Sequence, residues 1–287
     1  NRGRNRGIYG RLMPFLEYHG ASLHYEFYSS ESTAPPLVLV HGFLENLHMW
    51  KELLPQWTAF GSVLTIDLPG HGATSSFGYE HSMEFMADAV YAITTHLNLQ
   101  PFLLLGHSMG GYVGLEFATH YPEQLVGLGL FFSTPEPDSV ERKLMRERAV
   151  ELVKQNKNTF VRASIPQLFD AKTRETIKSD IEALIERTLQ METQGIVAAI
   201  YGMKKREDRS LILHQPPTHL KERGIAVFAG RQDTVIPFDQ VQQWWEAPGV
   251  TFQYESPYGH MGHMSDRDGC VAAVLQWWKS LKPGGAA

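Results

Sequence analysis

Apolar residues fall along this chain in two kinds of run. Between Phe15 and Tyr28 they alternate with polar ones, so that Leu23, Tyr25 and Phe27 are interleaved with His24, Glu26 and Tyr28. A period of two predicts antiparallel strands, here a hairpin of Phe15 to Tyr18 and the stretch around Leu23, turning at His19-Gly20 on one edge of a sheet. From Leu37 onward the pattern changes. Leu37 to Val40, Val63 to Ile66 and Phe102 to Leu105 are unbroken apolar runs, the mark of strands buried on both faces of a parallel sheet. Ile225 to Ala229 and Thr251 to Tyr254 are predicted strands further on. Met83, Met86, Val90, Ile93 and Leu97 recur at spacings of three and four, which predicts an amphipathic helix covering the sheet. Tyr112 to His120 also reads as helix.

A break follows Ser133-Thr134-Pro135-Glu136-Pro137. To about Ser210 the sheet-like runs stop and charge-rich helical sequence takes over, as in Val140 to Gln155 and Ala171 to Met191. Connections inside a domain are usually short, so residues 135–210 are predicted to be a helical cap inserted into a core made of 13–134 and 211–283. The insertion carries 15 Lys plus Arg against 13 Asp plus Glu, a difference of +2. That balance predicts no strong field for an anionic substrate. Phe160, Ile165, Leu168, Phe169, Met191, Tyr201 and Met203 either line a pocket or form the insertion's own core, and Phe169 and Met203 are taken as candidate pocket residues. Residues 1–12 hold Arg2, Arg4, Arg6 and Arg11 with no acid and are rich in Gly and Asn, which predicts a disordered basic tail.

The segment richest in chemistry is Gly106-His107-Ser108-Met109-Gly110, between a predicted strand and a predicted helix. Strand, tight turn and helix are what a nucleophile elbow needs, because a serine hydroxyl reacts only when held exposed at a sharp turn beside a base. Such a site continues with an acid and then a histidine. Gly230-Arg231-Gln232-Asp233 and Tyr258-Gly259-His260 follow two later strands in that order. Ends of parallel strands converge in space although distant in sequence. Ser108 is therefore the expected nucleophile, His260 the general base and then acid, and Asp233 the carboxylate that orients it. His263 repeats the Gly-His pair of His260, but lies further from its strand and is expected to pack rather than react. For the oxyanion, the expected donors are the backbone N–H of Met109, after the nucleophile, and of Phe43, in His41-Gly42-Phe43 after the first buried strand. The Phe43 ring is also a candidate pocket wall. Asp67-Leu68-Pro69-Gly70-His71-Gly72 is dense in turn formers and is read as a structural turn, with Asp67 binding backbone N–H groups.

These landmarks resemble the α/β-hydrolase fold superfamily, and more narrowly its esterase, lactonase and cofactor-free haloperoxidase branch with a serine nucleophile. The resemblance runs from about Phe15 to Leu281. It implies an α/β fold with a mostly parallel twisted sheet of about eight strands, helices on both faces and an inserted helical cap. Haloalkane dehalogenases and epoxide hydrolases of this fold carry aspartate at the elbow, where this chain has Ser108. Relatives acting on acidic menaquinone-pathway substrates tend to carry an arginine soon after the elbow; here the stretch reads Gly111-Tyr112-Val113.

Length, charge and cysteine content narrow the partners. The 287 residues, 43% hydrophobic, are enough for one large core, and a net charge of −5 gives no nucleic-acid footprint. The single cysteine, Cys270, cannot form an internal disulfide and is expected to be buried. No apolar run has membrane length, so a cytoplasmic protein is expected. The expected function is hydrolysis of a small, mainly uncharged ester, thioester or lactone through an acyl-enzyme, with no cofactor or metal and a small molecule as partner. Carbon-carbon bond hydrolysis, perhydrolysis or non-catalytic ligand binding remain compatible with the same residues.

Overall fold

The computed structural model describes residues 11–12, 15–99, 101–221 and 224–281. Its strands are β1 (Arg11–Leu12), β2 (Phe15–Tyr18), β3 (Ala21–Tyr28), β4 (Leu37–Val40), β5 (Val63–Ile66), β6 (Phe102–His107), β7 (Leu125–Phe131), β8 (Ile225–Gly230) and β9 (Val250–Ser256). Among the described residues they form one sheet in the order β1-β3-β5-β4-β6-β7-β8-β9, with β2 paired to β3. The pairs of β3 with β1, β2 and β5 are antiparallel, and every pairing from β5 through β9 is parallel. The mostly parallel α/β sheet is thus the one the runs predict. The expected tail over 1–12 needs a correction at its end: Arg11 and Leu12 pair with Tyr28 and Phe27, because the edge of β3 still offers backbone groups there. Residues 1–10 lie outside the described residues.

Alternate residues of β4 serve opposite faces. Val38 and Val40 join a cluster with Leu104, Val90 and Met86, while Leu37 and Leu39 join Leu103, Trp57, Trp277 and Trp278. Both faces are therefore covered, which is why these strands show no polar alternation. The helix Met83–His96 supplies part of one cover. Its start is set by Ser82, whose hydroxyl accepts the Phe85 N–H at 3.0 Å.

Register decides where the site can form. Val40 lies opposite Gly106, Gly106 opposite Leu130, and Phe131 opposite Phe228. The carboxyl ends of β4, β6, β7 and β8 are therefore level, and the segments that leave them emerge at one edge.

Between β7 and β8 the chain is helical, through Val140–Ser164, Ala171–Thr176, Lys178–Thr188, Thr193–Lys205, Ser210–His214 and Thr218–Lys221. Helical structure thus continues past Ser210 almost to β8. The first of these helices outruns its predicted end at Gln155 by being interrupted rather than stopped: Asn156 leaves helical geometry (φ −158°, ψ 88°). Its Oδ1 accepts the Thr159 N–H at 3.0 Å and restarts the helix as an N-cap does. Among the described residues no helix is long and apolar enough to cross a membrane.

Candidate active site

Ser108 stands between β6 and the helix Met109–His120 with φ 49° and ψ −112°. A positive φ at a residue with a side chain is strained, by about 1–3 kcal/mol, and persists only where its surroundings over-determine it. Here they do. The Ser108 N–H donates to Phe131 O at 3.0 Å and its carbonyl accepts the Ser133 hydroxyl at 2.8 Å. A Cβ at Gly106 would stand 2.1 Å from Gly110 O, and one at Gly110 would stand 2.3 Å from Val40 O. Only glycine lets strand and helix close this tightly, so the pentapeptide is explained by contact as well as by conformation.

The segments after β8 and β9 bring the two partners. Gln232 N donates to Tyr258 O at 3.0 Å, tying one loop to the other. Asp233 Oδ1 accepts the N–H groups of Val235 and Ile236, each at 2.8 Å, and its Oδ2 lies 2.7 Å from His260 Nδ1. Asp233 is therefore both a turn former and a histidine partner. His260 Nε2 lies 2.9 Å from Ser108 Oγ. Asp233 and His260 are buried while Ser108 is partly open. The sequence-predicted trio is thus brought together in one hydrogen-bonded line. The N–H groups of Phe43 and Met109 make no hydrogen bond to another described residue, and Met109 opens a helix, where the backbone carries partial positive charge.

A cavity of about 240 Å³ adjoins Ser108 and His260. Its walls include Phe43, Tyr112, Phe160, Leu168, Met203 and Val235, with Arg142 and Arg146 from the helix Val140–Ser164. Phe43 and Met203 thus lie where the sequence reading expects pocket residues. Phe169 does not line it: this residue, extended after the 3-10 turn Ile165–Leu168, is 3% exposed and belongs to the packed core, and Leu168 takes the wall position. A larger cavity of about 740 Å³ lies elsewhere, with Glu26, Lys51, Asp180, Arg187 and Arg267 among its walls; Ser108 and His260 are not.

Sequence reasoning missed a second ionisable group behind His260. His107 Nδ1 lies 2.7 Å from Glu45 Oε2, and its Nε2 lies 3.1 Å from the His260 carbonyl oxygen. His263 Nε2 is 3.2 Å from Glu45 Oε1, so it packs against this group and not against Ser108. All three side chains are buried. Burial alone would raise the Glu45 carboxyl, but His107 and His263 overcome it and hold the group well below the usual carboxylate range. Burial opposes charge on His107 too; Glu45 outweighs it and raises the imidazole above its ordinary value. For His263 burial prevails, and its value falls. The Glu45, His107 and His263 ligand atoms lie within 4.8 Å of one another, as a metal site would require. With a carboxylate at one nitrogen of His107 and a carbonyl at the other, both nitrogens carry protons, so the arrangement suits hydrogen bonding better than ligation. The sequence signals for this group are the histidine inside the elbow pentapeptide and the packing role expected of His263; Glu45 has none.

Residues 35–266 match the family described as alpha/beta hydrolase fold. The chain is 28% identical over 259 residues to the dihydrolipoyllysine-residue acetyltransferase component of the acetoin cleaving system of Pseudomonas putida, a match covering 89% of this chain and 63% of that protein. Against the putative carbamate hydrolase RutD of Pseudomonas syringae pv. syringae it is 26% identical, covering 85% of this chain and 94% of that one. The chain spans less than two thirds of several curated relatives, with 30%, 33% and 34% covered in three of them. Among solved structures, a malate-bound thermophilic esterase from Thermogutta terrifontis superposes with a TM-score of 0.83 at 28% identity, covering 95% of this chain and 99% of that chain. The enol-lactonase from Burkholderia xenovorans LB400 shares the fold, with a TM-score of 0.84 at 18% identity over 93% of this chain and 100% of that chain.

Proposed function

The chain belongs to the alpha/beta hydrolase fold family, and from that premise we propose that it is a serine-dependent hydrolase that cleaves a small ester, thioester or lactone through an acyl-enzyme. Ser108 Oγ attacks the substrate carbonyl while His260 Nε2 takes its proton. The carbonyl oxygen becomes an oxyanion held by the N–H groups of Phe43 and Met109, each donor worth about 2.7–4 kcal/mol in the transition state. Collapse of the tetrahedral species expels the leaving group, to which His260 returns the proton. Water then enters by the same steps in reverse order, with His260 again as base, and releases the acid and free Ser108. Asp233 keeps the proton of neutral His260 on Nδ1 and stabilises the imidazolium formed in each half-reaction.

The observation that carries this reading is the unbroken line from Asp233 Oδ2 to His260 Nδ1 at 2.7 Å and from His260 Nε2 to Ser108 Oγ at 2.9 Å. Either distance alone would be ordinary. A base within reach of a partly open hydroxyl, with an acid within reach of the base, is the geometry proton transfer needs. Esterase and lactonase neighbours in the fold fit the same chemistry. The helical insertion between β7 and β8 supplies part of the wall over the serine and acts as a cap that selects substrate.

The test is a fluorophosphonate probe with 4-nitrophenyl esters as substrates. Ser108 takes the label in wild type, and Ser108→Ala loses both labelling and turnover, the latter by about 10⁶ in kcat. Stoichiometric label on another serine, or undiminished turnover in the variant, overturns the mechanism.

A further inference from the structure

We propose that the substrate of this site carries a carboxylate, seated against Arg142 and Arg146 on the wall formed by the helix Val140–Ser164. The inference rests on the serine hydrolase reading for the position of the reacting carbonyl, and it replaces the expectation of an uncharged substrate. That expectation came from an average: the insertion's charges nearly cancel along the sequence. In the fold they do not cancel locally.

Asp138 is the pivot. Its side chain is fully buried and faces three guanidinium groups: Arg206 Nη1 at 2.6 Å, Arg146 through a close Nε contact and an Nη2 bond of 3.3 Å, and Arg142 Nε at 3.6 Å. One carboxylate is thus shared by three cations. The nearby Glu136 side chain accepts from Gln243 at 3.1 Å, and burial raises its carboxyl above the usual range, which weakens it as a counter-charge. Arg206 is spent on Asp138, on the carbonyls of Glu136 and Met203, and on the face of Tyr112, 4.0 Å below its guanidinium. Arg142 and Arg146 are not used up. Arg142 Nη1 donates to Val235 O at 2.7 Å, and no acceptor among the described residues meets Arg142 Nη2 or Arg146 Nη1.

The cavity sets what surrounds these two arginines. Both arginines line it, and no aspartate or glutamate does. The rest of the wall is apolar or aromatic apart from Ser164 and the groups around Ser108 and His260. The Arg146 side chain is 14% exposed and that of Arg142 34%, so beside this largely apolar wall both attract an anion more strongly than they would in bulk water. Their planar forks match a carboxylate with two parallel hydrogen bonds. The cavity volume of about 240 Å³ falls below the roughly 300–1,000 Å³ usual for drug-sized ligands, so the acid must be short. An ester or lactone of a small dicarboxylic acid fits these limits. The absence of arginine after the elbow does not count against it, since the cations enter from the insertion instead.

The experiment compares 4-nitrophenyl hydrogen glutarate with 4-nitrophenyl valerate, which has a neutral acyl chain of similar length. Wild type is expected to prefer the anionic ester by about 10–100-fold in kcat/KM, the range of one or two charge-assisted hydrogen bonds, with the difference carried mainly by KM. The preference shrinks as salt rises. Arg142→Gln and Arg146→Gln each lower the ratio of anionic to neutral kcat/KM by about tenfold or more. Because Arg146 and, at longer range, Arg142 also neutralise Asp138, each variant is repeated in the Asp138→Asn background to guard against loss of fold. Binding is read separately by calorimetry on the Ser108→Ala protein, where monomethyl glutarate should bind more tightly than dimethyl glutarate. If neutral esters turn over through Ser108 with no preference for the anion, or if the ratio ignores both arginines, the carboxylate proposal fails and the hydrolase reading stands. If no ester is cleaved yet monomethyl glutarate binds in an arginine-dependent way, the hydrolase reading fails and the anion site stands. Equal binding of the two glutarates overturns the anion site whatever the turnover.

Discussion

Two loops at the carboxyl edge of the sheet each hold an aspartate 2.7 Å from a buried histidine nitrogen, yet the proposed mechanism gives them different jobs. After β8, Asp233 meets His260; after β5, Asp67 meets His24. Distance and burial do not separate them. What separates them is the third partner. His260 has its far nitrogen on a partly open serine hydroxyl. Asp67 instead gathers backbone from several places, accepting the N–H of Leu47 at 2.8 Å and of Ala73 at 2.9 Å, and so pins β3 and two loops around the end of β5. Burial would raise the Asp67 carboxyl; His24, His41 and those N–H groups outweigh it and lower it. A carboxylate-histidine pair is thus a structural cross-link by default. In the proposed mechanism it becomes a proton relay where a nucleophile completes it.

The contrast is sharpest when each acid is removed in turn. Asp233→Asn should leave the thermal midpoint close to wild type and cut kcat by about 10⁴, because His260 is then held in the wrong tautomer; esterase kinetics beside a melting curve check both halves. Near-normal activity would mean that another carboxylate orients His260. Glu45→Gln should act in the opposite sense, destabilising by about 3–5 kcal/mol because it leaves the buried His107 cation uncompensated. Urea unfolding measures this, and an unchanged midpoint would contradict the charged pair. Asp67→Asn is expected to cost about 1–3 kcal/mol, with one buried donor losing its acceptor, while the folded fraction keeps most of its kcat.

An effect of similar size is a pH dependence in the same loop as Asp67. Burial, reinforced by His41, lowers His71 to about 3. Between pH 6.5 and about 3 the unfolded chain therefore binds a proton that the folded chain refuses, so stability is full above pH 6.5 and falls as the pH drops. At pH 5 the loss from this group is about 2 kcal/mol. The depressed carboxyls of Asp67 and Glu45 work in the same direction at lower pH, below their ordinary values. Denaturation midpoints at pH 7.5 and pH 5, for wild type and His71→Phe, should show a flatter dependence in the variant; parallel curves would mean that His71 titrates alike in both states.

What the sequence reveals depends on whether a residue's reason is local. Ser108, Asp233 and His260 are legible because an elbow, a strand end and an order of appearance are all sequence properties. The strand Leu125–Phe131 is not named from the sequence because Gly127 and Gly129 break its apolar run and read as turn formers. A Cβ at Gly129 would stand 2.4 Å from Leu105 Cδ1 and 3.1 Å from the Trp277 ring, so these glycines answer to neighbours far along the chain. Glu45 is illegible for the same reason, since its partners are 62 and 218 residues away. Phe169 was misplaced by one position, as an extended residue after a 3-10 turn sends its side chain to the opposite side from its neighbour.

Arg142, Met145, Arg146 and Ala149 all face the cavity from a single helix, at the three- and four-residue intervals of one helical face. They belong to a different element from the elbow, where an added methyl at Gly106 or Gly110 would collide with main chain. In a lineage of such proteins, the two jobs are therefore open to different mutational histories. The elbow is frozen by steric exclusion, while Met145 and Ala149 on that stripe can drift in size and the two arginines can change in step with Asp138, so new preferences can be explored without ever passing through a broken nucleophile.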